Sequence, residues 1–321
     1  MNEFELIQHF FTRSACAQGG ENVSLGIGDD CALLQFSAEQ SCAVSTDTLV
    51  SGIHFPENAP PVLLGQRALA VAVSDLAAMG ATPIGFTLAI TLPQLDAAWL
   101  QAFSEGLSAM AQRCAITLVG GDTTRGPLAM TVTVMGAVPK QQALLRSGAQ
   151  VGDLLCVSGS LGAAAAAVPL VLGKVDEQSI SRSIREQLLA AYWSPQPQLA
   201  LGQYLLDKAH AALDISDGLL ADCGHIAKAS DVCLQIQQNQ VPLAAAARQL
   251  LGDSAALQCA LSGGDDYQLA FTLAPDKLAA VQHEFSAVQV VGQVCAGAGV
   301  RLLDEAGQTV AHSYSGYQHF T

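Results

Sequence analysis

Positive charge is scarce in this chain. Its 321 residues carry 14 Lys and Arg against 28 Asp and Glu, a formal net charge of −14. A surface of that sign repels a phosphate backbone, so nucleic acid is excluded as an expected partner. Charge of either sign is sparse at 13% of residues, well under the usual quarter, while half the chain is hydrophobic. That composition supports a large core and excludes wholesale disorder. The opening MNEFELIQHFF has Glu3 and Glu5 and no basic segment, so no signal peptide is expected. The apolar run from Leu161, LGAAAAAVPLVLG, is too short to span a bilayer and contains Pro169, so no membrane partner is expected. Nine cysteines, an odd number with no C-x-x-C pair, suit neither a disulfide framework nor a structural zinc site. Cys42, Cys114 and Cys156 fall in apolar runs, where a free Cys acts as a small hydrophobe. A reducing cytoplasmic location is the expectation.

The length suggests two domains. Residues 62–79 read as a long apolar helix stopped by Gly80, and Leu100, Phe103, Leu107 and Met110 recur at helical spacing over 96–113. Strands are expected at 84–91, 115–119 and 128–138. The polar, turn-rich PKQQALLRSGAQVGD then marks a boundary near residues 140–148, giving domains 1–140 and 147–321. Beyond it, DLLCVSG reads as a strand and an alanine-rich helix starts at Leu161. AALDIS reads as a strand feeding the helix DGLLADCGHIAKAS. In LSGGDDYQLAFTL a glycine turn leads into a strand in which Tyr267, Leu269 and Phe271 alternate with smaller or polar neighbours. Strands and helices in both halves indicate an α+β or α/β architecture.

Within this frame, Asp30, Asp47, Asp75, Asp122, Asp214, Asp217 and Asp265 stand at expected strand ends or glycine turns, among small or apolar residues. Singly, each has a plain reading. Asp75 or Asp217 could cap a helix, and Asp122 could serve a turn. As a set they would repel: two ionised carboxylates ~4 Å apart cost about 4 kcal/mol at an effective dielectric near 20. Cations relieve that repulsion, and Asp supplies the hard oxygen that Mg2+ prefers, with phosphate oxygens completing its shell. Ser45 and Thr46 are further oxygen donors beside Asp47. Gly159-Ser-Leu-Gly162 has the form of a phosphate turn but lacks the lysine of a P-loop, and reads as a plain strand-to-helix turn. Arg146 could clamp phosphates or be a surface linker residue. His54 reads first as a packed aromatic. The closing SYSGYQHF gathers Tyr314, Tyr317, His319 and Phe320, which could dock on the core or stack on a flat ligand.

The stretches LGIGDDCALL, STDTLVSGIHF, AVSDLAAMGATP, GGDTTRGPL, RSGAQVGD, DISDGLLAD, LSGGDDYQL and GYQHF, in that order, resemble the thiamine-monophosphate kinase family. That family sits in a superfamily with aminoimidazole ribonucleotide synthetase. The resemblance implies a two-domain α+β fold, N-terminal domains pairing into a β-barrel in a homodimer, and ATP with several Mg2+ ions in a cleft between domains. The implied reaction moves the ATP γ-phosphoryl group directly onto thiamine phosphate. It also implies metal ligands at Asp30, Ser45, Thr46, Asp47, Asp75, Asp122, Asp214 and Asp217, with Asp47, Asp75 and Asp122 central to catalysis. ATP contacts fall at Gly121, Asp122, Arg146 and Ser216, and thiamine phosphate contacts at His54, Asp265 and Tyr317. Asp265 departs from the family's usual Glu by one methylene. No Ser or Cys has a triad setting, so positioning and charge neutralisation would carry the transfer. Two other readings are a different ATP-using synthetase of the superfamily and a non-catalytic divalent-metal module.

Overall fold

A computed structural model describes residues 3–175 and 180–311. The chain divides into two compact units. One holds the described residues up to Leu76 with Ala81–Gln141; the other holds Ala77–Gly80 and the described residues from Gln142 onward.

The first unit comprises α1 (Glu3–Leu6), β1 (Val23–Leu25), β2 (Leu33–Leu34), β3 (Gln40–Val50), α2 (Pro61–Ala78), β4 (Thr82–Leu92), α3 (Ala97–Arg113), β5 (Thr117–Arg125) and β6 (Ala129–Pro139). Four strands form one sheet in the order β3-β6-β4-β5. Phe86, Leu88, Ile90, Val132 and Val134 are buried, as are Leu64, Leu69, Leu76, Phe103 and Leu107 on the helices. The two helices approach closely. A Cβ on Gly106 would lie 1.8 Å from the Val62 carbonyl oxygen, and one on Gly65 2.3 Å from that of Phe103. Asp96 caps α3, accepting from the N–H groups of Ala98 and Trp99; such a cap contributes about 1 kcal/mol. α2 is long and apolar enough to cross a bilayer by length and composition, yet most of it is buried, as expected of a core helix.

The other sheet face is uncovered among the described residues. Thr46 pairs with Thr133 and Thr48 with Thr131, each at 2.9 Å, and Thr91 with Thr124 at 3.3 Å. Val44 is 60% exposed, and Cys42 is exposed rather than buried as its apolar run suggests. β3 is therefore buried on one face only, and Asp47 lies inside the strand, not at its end.

The second unit comprises β7 (Leu154–Val157), α4 (Ala163–Val171), α5 (Arg182–Trp193), α6 (Leu199–Tyr204), β8 (Ala209–Asp214), α7 (Leu219–Ser230), β9 (Cys233–Gln237), α8 (Ala245–Leu251), α9 (Asp253–Ser262), β10 (Leu269–Leu273), α10 (Leu278–Glu284), β11 (Gln289–Cys295), β12 (Gly299–Leu303) and β13 (Thr309–Val310). Its seven-stranded sheet runs β13-β12-β9-β11-β7-β10-β8, antiparallel except for β9–β12. Alternate residues feed two cores. Leu155, Val157, Leu213 and Ala270 pack with Leu219, Cys223 and Ile226 of α7. Cys156, Ala212, Leu269 and Phe271 pack with Leu201, Leu205 and Val281. All five residues of β10 are buried, so no polar alternation survives there. Tyr267 precedes that strand with φ +50° instead of extending it.

Candidate active site

In the first unit the site begins with a hydroxyl and two carboxylates. Ser45 and Asp47, two residues apart on β3, share the sheet face that carries α2. The Ser45 hydroxyl donates to Asp75 Oδ2 on that helix. Asp75 is thus inside α2, not at a helix cap. Burial pushes the Asp47 carboxyl up to about 6, and the facing charge of Asp75 adds to the shift. Two carboxylates and a hydroxyl converging here are a hard-oxygen donor set suited to Mg2+. Among the described residues no group of three or more Asp, Glu, His or Cys is assembled to hold a metal.

Asp122 does not join Asp47 and Asp75 within the same chain. Gly120, Gly121 and Asp122 run through β5 as strand, not as a turn. Asp122 pairs with Ala89, which pairs with Thr131, which pairs with Thr48. It therefore lies on the threonine face, on the opposite edge strand from Asp47, roughly 14 Å away at three inter-strand spacings. Gly121 adopts φ +156°, and a Cβ there would stand 2.0 Å from the Leu88 carbonyl oxygen. Thr46 also points to the threonine face, so beside Asp47 it could offer only its backbone carbonyl. Asp30 is exposed in the loop between β1 and β2. His54 follows β3 in a turn and its Nδ1 accepts from the Val50 N–H at 3.0 Å, which places the ring proton on Nε2 when neutral.

In the second unit Asp214 ends β8, buried to 7% exposure, and the chain then turns through Ser216, Asp217 and Gly218 into α7. The N–H groups of those three residues all donate to Asp222 Oδ2, at 3.0, 2.9 and 3.1 Å. Burial raises the Asp222 carboxyl to about 7, opposed in part by the Asp217 N–H bond and reinforced by the charge of Asp217. Asp217 is thus held beside α7 and does not cap it. The glycine-rich loop closes over this turn: Asp265 N–H donates to the Ser216 carbonyl and Tyr267 N–H to that of Ile215, both at 2.8 Å. A Cβ on Gly264 would fall 2.3 Å from the Ser216 oxygen. Asp265 has φ +65°. Its neighbour Asp266 is buried, with both carboxyl oxygens 2.9 Å from the Gly162 N–H.

Arg146 is exposed on the segment alongside β8, where Ala212 N–H donates to the Leu145 carbonyl. The Ser230 hydroxyl fixes that turn, donating to the Arg146 carbonyl and accepting from the Gly148 and Ala149 N–H groups, each at 3.1 Å. Helix α7 therefore holds two loops, through Asp222 at its first turn and Ser230 at its last. Sequence reading missed Asp222, Ser230 and Asp266. The available signal for Asp222 was an acid in the first turn after Ser-Asp-Gly. Tyr317, with Tyr314, His319 and Phe320, lies outside the described residues.

Comparison with known proteins places this arrangement. Residues 28–138 match the AIR synthase related protein N-terminal domain and residues 150–305 the corresponding C-terminal domain, so the chain belongs to the AIR synthase related family. Thiamine-monophosphate kinase of Escherichia coli is 41% identical over 99% of this chain and 98% of its own length. A crystal structure of thiamine-monophosphate kinase from Stenotrophomonas maltophilia is 43% identical, covers 90% of this chain and 93% of that one, and superposes with a TM-score of 0.83. A structure described as AaThiL complexed with AMPPCP and TMP is 29% identical, covers 92% and 93%, and has a TM-score of 0.79. Within its superfamily, this chain is a member of the thiamine-monophosphate kinase family.

Proposed function

We propose that this protein transfers the γ-phosphoryl group of ATP directly to thiamine phosphate, giving thiamine diphosphate and ADP. The observation that carries the reading is the 41% identity to a thiamine-monophosphate kinase along nearly the whole chain. The relative crystallised with AMPPCP and TMP supports the same pair of substrates.

Asp47, Asp75 and Ser45 are the residues suited to hold Mg2+ in the first unit, and Asp30, Asp214 and Asp217 offer further carboxylates. Bound Mg2+ would neutralise charge on the phosphates, which 14 basic residues against 28 acidic ones do not supply. Arg146 is the cationic side chain suited to the nucleotide phosphates, its turn fixed by Ser230. Asp222 orients Ser216 and Asp217 by three hydrogen bonds to one oxygen. The terminal phosphate of the acceptor is largely deprotonated near neutral pH, so it attacks without a strong general base. His54 and Asp265 are the described residues assigned to the acceptor.

A homodimer belongs to the same proposal. The sheet of the first unit ends in two open edges, β3 and β5, and presents an uncovered threonine face. Joining β3 of one copy to β5 of another removes both edges, as closure into a barrel does. It also brings Asp122 of one copy to the strand carrying Thr46 and Asp47 of the other. ADP release with thiamine phosphate, thiamine and aminoimidazole ribonucleotide precursors tests the function. Turnover with thiamine phosphate alone supports it, and turnover with another acceptor in its place refutes it.

A further inference from the structure

The turn that carries Arg146 is held from two sides. Ser230 supplies one hold, through the Arg146 carbonyl and the Gly148 and Ala149 N–H groups. The other is a buried carboxylate. Asp153, which ends the RSGAQVGD stretch, is 3% exposed. Its Oδ2 accepts from the Gln150 N–H at 2.8 Å, and both of its oxygens lie 2.9 Å from His210 Nδ1. An ionised carboxylate only accepts, so the ring carries its proton on Nδ1 and donates it to Asp153. The backbone ties the same turn to β11. Gly152 N–H donates to the Val294 carbonyl and Val294 N–H to that of Asp153, both at 2.9 Å.

His210 reaches Asp153 because β8 is irregular there. Thr272 of β10 faces Ala211 and Leu273 faces Ala209, so His210 is an extra residue with no counterpart on β10. Such a bulge re-aims a side chain on an edge strand, and β8 is an edge of its sheet. The open side of β8 is taken by the arginine segment itself, where Ala212 N–H donates to the Leu145 carbonyl. Gly148 then packs on His210: it has φ +117°, and a Cβ there would stand 2.4 Å from the His210 carbonyl oxygen. His210 thus meets the turn twice, by its backbone at Gly148 and by its ring at Asp153.

Neither the metal assignment nor the acceptor assignment uses this pair. Resting on the assignment of Arg146 to the nucleotide phosphates, we propose that His210 is a positioning residue for that arginine. Through Asp153 it fixes the end of the turn that Ser230 does not reach. The guanidinium then meets the phosphates from a backbone with little freedom left to lose. In this role the imidazole acts on the turn, not on the reactants.

The test combines calorimetric binding of Mg·AMPPCP with steady-state kinetics on the full chain, for His210→Ala, Arg146→Ala and the double variant. His210→Ala should weaken AMPPCP binding and raise KM for ATP about fivefold or more, with KM for thiamine phosphate within about twofold of wild type. Added to Arg146→Ala, it should change AMPPCP affinity by less than about twofold, because the group it positions is already gone. His210→Asn keeps an N–H donor close to the place of Nδ1 and should restore most of the affinity. Effects that multiply in the double variant, or an unchanged affinity in His210→Ala, overturn the proposal. So does an Arg146→Ala variant that binds AMPPCP like wild type. Equal rises in KM for ATP and for thiamine phosphate, with a lowered Tm, overturn it in favour of a structural role. The expected binding pattern in a chain that does not phosphorylate thiamine phosphate supports the positioning role and fails the kinase reading alone.

Discussion

Asp47 and Asp122 occupy the two edge strands of one four-stranded sheet and face its opposite sides. No rotamer change brings carboxylates together across two intervening strands. If both serve one metal–phosphate site, the proposed pairing of β3 with β5 of another copy gives the shorter route, setting Asp122 on the strand next to Asp47 instead of three strands away.

That relationship predicts complementation. Asp47→Asn and Asp122→Asn should each be inactive as homodimers. Mixed and allowed to exchange subunits, the heterodimer has one site with both substitutions and one with neither. Activity should recover to about a quarter of wild type, half of the dimers carrying one intact site of two. No recovery despite verified exchange would place both residues in one copy's site.

The Asp47–Asp75 pair predicts a pH-dependent response to metal. Burial and the Asp75 charge hold the Asp47 carboxyl at about 6, above its unfolded value near 3.9. Between those values the folded chain retains a proton that the unfolded chain loses, so this group's contribution to stability falls as pH rises through that window. Mg2+ held by Asp47 and Asp75, as proposed, would offset the loss by neutralising the ionised pair. The Tm gain on adding Mg2+ should therefore be larger at pH 7.5 than at pH 5, and Asp75→Asn should shrink the difference. An equal gain at both pH values contradicts the metal assignment.

Asp222→Ala should leave three N–H groups without their carboxylate partner and cost about 1–3 kcal/mol. Its functional effect should fall on KM for ATP more than on KM for thiamine phosphate, because the loop it holds carries Ser216 and Asp217. Asn retains an acceptor oxygen and should restore part of both losses. Differential scanning calorimetry beside kinetics separates the two, and a variant with lowered Tm but wild-type KM for ATP would reduce Asp222 to a structural role.

Much of this was legible in the sequence where periodicity is strong. Leu100, Phe103, Leu107 and Met110 marked α3. The glycines misled, because Gly120-Gly121 reads as a turn while Gly121 in fact lies in β5 against the Leu88 carbonyl. The apolar run around Cys42 suggested burial, yet among the described residues the outer face of β3 stays open. Which acids share a site was hidden for a related reason. The pleat sends Thr46 and Asp47 to opposite sides, and only the sheet order shows β3 and β5 as opposite edges. Asp222 and Asp266 went unnoticed because their roles depend on backbone N–H groups that converge only after folding.

The most direct test of the central claim follows the phosphoryl group itself. Purified protein with Mg2+, thiamine phosphate and ATP radiolabelled at the γ-phosphate should yield thiamine diphosphate labelled in its terminal phosphate. One ADP should form per labelled product, with no label on the protein. Label that emerges as inorganic phosphate, or that stays on the chain while no thiamine diphosphate forms, would contradict the account.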